Sequence, residues 1–248
     1  MELFVQKTLI KFIKNYAEIY PKRFGTILAL FGVLVLTPDT MIMRLSMLDR
    51  WPLMGWRGVL MGITLLFLWR YLLSENLQRE WRSLISIPGL IVIFSFGLNS
   101  ITFTLGIQET SVMVVLTALA TMPIFAAILS SLFMGESQGF FGWVAILVAM
   151  GGVYIVVGDG SNAVGQPDGS TVLGALYGAI TAFGLAITFT LARKYKELGI
   201  VPAAALGSLL SGFVGFYFST YDSIFIAPIW TIFAMGIVLL PISFACLS

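Results

Sequence analysis

The chain has 248 residues, of which 58% are hydrophobic and only 10% are charged, and its net charge is +2. Soluble domains carry about 25% charged residues, so most of this chain is expected to lie in lipid. The sequence contains no histidine and one cysteine, Cys246. These counts exclude His-based triads, His or Cys metal clusters and a disulfide framework, so neither a cofactor nor a metal is expected. Membrane lipid and a small-molecule solute are the expected partners, and no basic patch suggests nucleic acid.

The N-terminal segment, residues 1–23, has Lys7, Lys11, Lys14 and Glu18 at helical spacing and lacks the apolar core and cleavage site of a signal peptide. It is predicted to be either an amphipathic helix in the cytoplasmic membrane interface or a solvated basic tail. Eight apolar segments near the length of a membrane span follow it. They are residues 24–43, 54–73, 84–104, 111–133, 138–157, 171–192, 200–219 and 223–247. The predicted fold class is therefore an all-α integral membrane protein.

Lysine and arginine are unevenly distributed between alternate loops. With the N-terminus in the cytoplasm, eleven of these residues fall inside and three, Arg44, Arg50 and Arg57, fall outside. Because basic loops stay on the cytoplasmic side, this bias predicts a multi-pass plasma (inner) membrane protein with a cytoplasmic N-terminus. The loop 158–170, which has two acids and no base, is then external.

An internal repeat is indicated by residues that recur at nearly one offset. The pairs, 149 or 150 residues apart, are Gly25 and Gly174, Arg44 and Arg193, Pro52 and Pro202, and Gly62 and Gly212. Because a unit has an odd number of spans, five, its second copy enters the membrane from the opposite side, as in the inverted repeats of secondary transporters. The first unit is residues 24–157. The second, residues 171–248, contains three predicted spans, so two of the spans that the offset predicts are missing.

Residues 105–157 contain a Thr-, Ser- and Ala-rich helix with a mid-span proline, Pro123, an LFMGE turn with Gly135 and Glu136, and a last helix with Gly151 and Gly152. This pattern resembles the EamA repeat of the drug/metabolite transporter superfamily, and the resemblance extends over roughly residues 24–248. It implies ten helices in two inverted halves and a central path lined by the first four helices of each half. This chain then resembles a C-terminally truncated member.

Five polar residues are candidates for lining a transport path. Asp39 follows Pro38 in the first span, where an acid usually faces a cavity or a partner. It is predicted to bind a cation or a proton, or to pair with Arg44 near the outer interface. Arg44 and Arg57 are predicted to attract an anionic solute, to pair with Asp39, or to snorkel to head groups. Asn99 and Thr102, in the third span, either line the path or bond between helices.

Other residues are assigned structural roles. Glu109 is expected to be a solvated surface acid, and Glu136 to cap the start of the fifth span. Small residues recur every four positions in spans 6 and 7, which favours close helix packing. These residues are Gly174, Gly178, Ala182, Ala186, Gly207, Ser211, Gly215 and Ser219.

Together these features predict a secondary transporter that exports or exchanges a small organic metabolite, and not an enzyme. A truncated, non-transporting fragment or pseudogene product is the alternative, because two spans of the second unit are missing. A homo-oligomer could supply the missing contacts from a partner chain. An intramembrane enzyme is a remote alternative: His-dependent proteases are excluded, and the acids Asp159 and Asp222 fall in predicted loops, not in spans.

Overall fold

The computed structural model describes residues 21–73, 77–135, 139–140, 142–144, 146–148, 150–151, 169–224 and 228–247. Most of the predicted N-terminal segment 1–23, half of the predicted span 138–157 and most of the loop 158–170 lie outside these residues. Glu136 and Gly152 also lie outside them. The described residues are mainly helical, as the apolar composition predicts.

The first predicted span is two helices rather than one. Helix α1 (Pro21–Leu36) ends at the turn Thr37–Pro38, and α2 (Asp39–Leu45) begins directly after it. Proline has no backbone N–H and cannot continue the hydrogen-bond ladder of the preceding helix. The break places Asp39 at the first position of a new helix, where it is buried.

The second span is followed by a short helix that the sequence did not predict. Helix α3 (Arg50–Leu68) continues into a π-helical turn, Trp69–Leu73, and is followed by the amphipathic α4 (Leu77–Ile85). The third span, α5 (Ile87–Glu109), therefore starts later than the predicted residue 84. Ser86 accepts a hydrogen bond from the Gly89 N–H as the N-cap, with a proline in the first turn, and both features favour a new helix here.

The fourth, sixth and seventh predicted spans are also present. Helices α6 (Val112–Leu119) and α7 (Met122–Met134) form the fourth, and α8 (Thr171–Lys194) and α9 (Ile200–Tyr217) form the sixth and seventh. Six segments of the described chain are long and apolar enough to cross a membrane. They are Gly25–Leu45, Arg50–Tyr71, Ile87–Glu109, Val112–Met134, Thr171–Lys194 and Ile200–Tyr217.

The last predicted span, residues 223–247, begins later than predicted, because its long helical part starts at Ile229 and continues to Leu247. This region contains α10 (Tyr221–Ile224), α11 (Ile229–Phe233), a π-helical turn (Ala234–Leu239) and α12 (Leu240–Leu247), and its apolar helix Ile229–Phe244 is shorter than the other six spans. Pro228 precedes α11, and Pro241 lies next to the π-helical turn. Because a proline ring clashes with the carbonyl four residues earlier, it disturbs the regular α-helical ladder there.

Each helix of the bundle packs against a few specific neighbouring helices. Helix α3 packs along α9, α9 along α5, α5 along α8, and α8 along both α6 and α7. On the other side, α3 contacts the Ala234–Leu239 turn, and α12 packs along α1. The contact between α3 and α9 is therefore central to the bundle.

Glycines let α3 and α9 approach until their backbones touch. A Cβ atom on Gly58 would lie 2.4 Å from the backbone nitrogen of Gly212, and one on Gly215 would lie 2.4 Å from that of Gly55. No side chain fits in these gaps. In lipid, where the hydrophobic effect does not bring helices together, such close contact supplies van der Waals attraction.

The small residues of the sixth and seventh spans face other helices. A Cβ on Gly174 would meet Thr110, and one on Gly178 would lie 2.7 Å from the Cβ of Ala118. A Cβ on Gly207 would lie 2.6 Å from the carbonyl oxygen of Ile93 on α5. These positions lie where two helices meet.

The two ends of the bundle are held by different contacts. At the Glu109 end, defined by residues 46–49, 109–111 and 169–170, the amide of Gln108 donates to the Leu48 carbonyl. At the Lys194 end, defined by residues 77–85, 133–135 and 194–199, the amine of Lys194 donates to the Phe133 carbonyl. The Gly199 N–H donates to the Ser83 hydroxyl at the same end.

Candidate functional site

A buried ion pair joins the first two spans near the Glu109 end. Nη1 of Arg57 lies 2.9 Å from both carboxylate oxygens of Asp39, and the two side chains are 8% and 3% exposed. The guanidinium carbon of Arg57 also lies 5.9 Å from the centre of the Phe103 ring on α5. A buried charge has lost its hydration and needs a nearby opposite charge to offset that loss. Here the Asp39 carboxylate and the Arg57 guanidinium do this for each other. The break at Pro38 makes this arrangement possible because it starts α2 at Asp39.

Of the two partners predicted for Asp39, the structure shows Arg57 and not Arg44. Arg44 instead donates to the carbonyl oxygens of Thr110, at 3.0 Å, and Ile107, at 3.5 Å. Carbonyls at the C-terminal end of a helix such as α5 lack partners within it, so a cation is favourable there. Helical spacing explains why Arg44 does not pair with Asp39. Residues three or four positions apart lie on the same face of a helix, whereas Arg44 is five positions beyond Asp39.

Arg57 does not snorkel to the membrane surface, the other role considered for it. Its residue exposure is 7%, whereas Arg44 is exposed. The difference follows from position, because Arg57 lies on the second turn of α3 and faces α2 and α5.

Hydroxyl pairs cross the two interfaces of α5. The Oγ1 atoms of Thr102 and Thr181 lie 2.8 Å apart, linking α5 to α8. The Ser211 hydroxyl of α9 donates to that of Ser100 at 2.9 Å. Thr181 and Ser211 were not predicted as site residues, and Ser211 was assigned only to the packing stripe. The sequence does place polar residues at similar depths in different spans, and this could have suggested contacts between them. A single sequence, however, does not show which spans are neighbours in the bundle.

Asn99 is the predicted path residue that contributes a side-chain amide. The residue is 8% exposed, and its side chain has no hydrogen-bond partner in the described part of the chain. Across the interface, a Cβ on Gly184 would lie 3.5 Å from the Asn99 Cβ, so the glycine leaves room beside it. The side-chain amide can donate a hydrogen bond to, and accept one from, a polar group that enters the bundle.

Glu109 is not the solvated acid that the sequence predicted. One of its oxygens lies 3.6 Å from Arg50, and the other accepts the Ser170 N–H at 3.3 Å. Its side chain is 17% exposed. Glu109 therefore connects the start of α3 with Ser170, which directly precedes α8. In the described segments, no three His, Cys, Asp or Glu side chains are grouped closely enough to hold a metal ion.

The residues on which the resemblance to the EamA repeat is based lie in different parts of the structure. Pro123 lies in the first turn of α7, directly after the break that divides the fourth span. Gly135 ends α7 with φ +67°, the left-handed conformation that glycine adopts without steric cost. Gly151 is exposed. Glu136 and Gly152 lie outside the described residues.

Comparison with protein families gives one match for the chain. Residues 23–158 match the EamA-like transporter family, and this segment is more than half of the 248 residues. It includes Asp39, Arg57 and Asn99. Comparisons with curated proteins and with solved structures give no match. The six apolar helices agree with a multi-pass membrane transporter. The chain belongs to the EamA-like transporter family, within the drug/metabolite transporter superfamily.

Proposed function

We propose that this protein is a secondary transporter that exports or exchanges a small organic metabolite across the plasma membrane. Its family supports transport in general. The observation that carries the proposal for this chain is the Asp39–Arg57 ion pair, buried between membrane-spanning helices. Ionisable side chains in spans are costly and usually mark a path for an ion or a substrate.

The proposed mechanism uses the pair as an exchangeable contact. A proton or cation that binds Asp39 releases the Arg57 guanidinium, which then binds an anionic group of the solute. Asn99 lies one helical turn before Phe103, whose ring contacts Arg57, and its unpartnered amide binds a second polar group of the same solute. Thr102 lies on the same helix, with its hydroxyl shared with Thr181. Arg44, at the Glu109 end, attracts anions toward this site.

An inverted repeat is part of the proposal. If spans 1, 2 and 3 correspond to 6, 7 and 8, the contact of α5 with α8 corresponds to that of α12 with α1. The contact of α9 with α5 likewise corresponds to that of the last apolar helix with α3. Both members of each pair are present. The contact between α3 and α9 then lies on the symmetry axis. On the basis of this repeat, the proposed boundaries are residues 24–157 for the first unit and 171–248 for the second, with residues 158–170 as the external loop between them.

The orientation with a cytoplasmic N-terminus is also proposed. Among the described residues near the Lys194 end, more side chains are basic than acidic. The basic ones include Arg70, Arg79, Arg82, Arg193, Lys194 and Lys196, and the acidic ones include Glu80 and Glu197. An excess of lysine and arginine marks the cytoplasmic side.

The test is transport by the protein reconstituted in liposomes, measured as counterflow of radiolabelled amino acids, carboxylates and organic cations. The double variant Asp39→Asn/Arg57→Gln removes both charges together, so it is expected to stay folded and to lose transport at least tenfold. Asp222→Asn, which makes the same change at an exposed acid in α10, is expected to transport normally. Wild-type transport by the folded double variant would contradict the proposed site. No counterflow of any solute by the wild type would favour the non-transporting fragment.

A further inference from the structure

A cavity lies between the fourth and sixth spans, near the Lys194 end. Its volume is about 400 Å³, and its walls are formed mainly by α7 and α8, with Gly142 and Ile146 on a third side. Small-molecule sites usually have volumes of about 300–1,000 Å³, so this space is large enough for a ligand. The Asp39–Arg57 pair is at the opposite end of the bundle, so the cavity is separate from the proposed transport site.

The chemistry of the walls changes with depth. Arg193 lies at the mouth, next to the end of α8. Thr190, one turn deeper on α8, and Ser130 on α7 provide hydroxyl groups at the next level. Below them the α7 wall is apolar, with Ala127 and Pro123. The ligand that fits this order has an anionic head, oxygen atoms next to it and an apolar tail.

One of these hydroxyls has no protein partner. Thr190 is 5% exposed, and its hydroxyl has no hydrogen bond within the described residues. Thr190 lines the cavity, so an oxygen atom of a bound molecule can accept a hydrogen bond from its hydroxyl. Lys194 holds the walls together at the mouth, because its amine donates to the Phe133 carbonyl at 2.9 Å and lies over the Phe133 ring.

The surroundings favour a lipid over a soluble anion. The outward surface of α7 next to the cavity is apolar and exposed, with Ile128 at 45% and Leu132 at 74% exposure, as expected where a helix faces acyl chains. The described residues at and near the Lys194 end carry more basic than acidic side chains, and this excess attracts anionic head groups. Basic pockets between spans are recognised sites for such lipids.

We propose that this cavity binds one anionic phospholipid. Its phosphate contacts Arg193, an ester oxygen accepts a hydrogen bond from Thr190, and one acyl chain lies along α7 toward Pro123. Met134 and Pro123 are eleven positions apart, which is about 16 Å along the helix and enough for much of an acyl chain. The binding stabilises the contact between the fourth and sixth spans.

The test is thermal unfolding of the purified protein in detergent with phosphatidylglycerol, with phosphatidylcholine or with soluble glycerol 3-phosphate, with native mass spectrometry of the bound lipid. At about 100 times its Kd, phosphatidylglycerol is expected to raise the Tm by roughly 5–10 °C. The other two probes are expected to have little effect. An equal rise with phosphatidylcholine, or with glycerol 3-phosphate, would overturn the proposal, in the second case in favour of a soluble anion.

Variants connect the effect to the cavity. Arg193→Gln is expected to lose most of the rise in Tm, and Lys196→Gln, the same loss of charge on an exposed residue outside the cavity, is expected to keep it. Ala126→Leu fills the apolar part and is expected to abolish retention of the lipid while the charges remain. Retention by Ala126→Leu, or equal losses with Arg193→Gln and Lys196→Gln, would contradict this site. These readouts need no transport activity, so they are independent of the proposed transport function.

Discussion

Asp39 and Arg57 form a buried ion pair although eighteen positions separate them in the chain. Their contact requires the turn at Thr37–Pro38, which starts a new helix at Asp39, and the packing of α2 beside α3. The pair is thus a property of the tertiary structure. Because it lies between spans, each of its charges depends on the other for compensation.

The first prediction concerns this pair. Asp39→Asn leaves the Arg57 guanidinium buried without its counter-charge and is expected to destabilise the protein by about 3–5 kcal/mol. Asp39→Asn/Arg57→Gln removes both charges and is expected to be closer to the wild type. The measurement is the Tm in detergent, followed by size-exclusion chromatography after heating. Equal Tm values for the single and double variants would show that the two charges are not coupled.

The second prediction tests the close contact of α3 with α9. Gly58→Ala places a Cβ 2.4 Å from the Gly212 nitrogen, so the helices must separate. Overpacking of this kind typically costs about 1–3 kcal/mol. The control is Gly25→Ala, since a Cβ there meets nothing within 4 Å. Thermal unfolding of both variants is the measurement, and a Gly58→Ala protein as stable as the control would show that the interface can widen freely.

The third prediction concerns the hydroxyl pair between α5 and α8. A double-mutant cycle of Thr102→Val and Thr181→Val is expected to give a coupling free energy of about 0.6 kcal/mol, and at most about 1.7 kcal/mol, as for other hydrogen bonds between spans. The free energies are obtained from unfolding in mixed micelles. Strictly additive effects would mean that the 2.8 Å contact contributes nothing to stability.

The fourth prediction concerns the end of α7. Gly135→Ala forces a residue with a Cβ into the left-handed conformation at φ +67° and is expected to cost about 1 kcal/mol. Gly139→Ala is the matched control, because its Cβ also meets nothing within 4 Å and its φ is not positive. The two variants are compared by thermal unfolding. A loss in Gly139→Ala as large as that in Gly135→Ala would exclude backbone strain as the cause.

Several helices were predictable from local patterns. The apolar segments of spans 2, 6 and 7 are long and uninterrupted, and each forms a membrane-length helix within a few residues of its predicted bounds. The stripes with Gly178 and Gly207 were assigned to packing, and both glycines face neighbouring helices. The division of the last apolar segment was missed because hydropathy does not register the effect of Pro228 and Pro241 on the helical ladder.

The candidate site was only partly predictable. Asp39 was identified because an acidic residue is unusual in an apolar span. Arg44 could have been rejected as its partner from helical periodicity alone, because it is five positions from Asp39. The unpartnered amide of Asn99 and the Thr102–Thr181 contact could not have been predicted, since they depend on which faces of α5 and α8 meet.

Composition and hydropathy by themselves determined that this chain is a helical membrane protein, because lipid leaves apolar helices as the way to satisfy the backbone over so many uncharged residues. The motif from Pro123 to Gly152 indicated the transporter family. The tertiary structure alone decided that Asp39 meets Arg57 rather than Arg44, that Glu109 joins the start of α3 to Ser170, and that a cavity lies between parts of the fourth and sixth spans. The reason is physical: hydropathy is a sum over neighbouring residues, whereas an ion pair or a cavity depends on the rotation and spacing of helices that are distant in the chain.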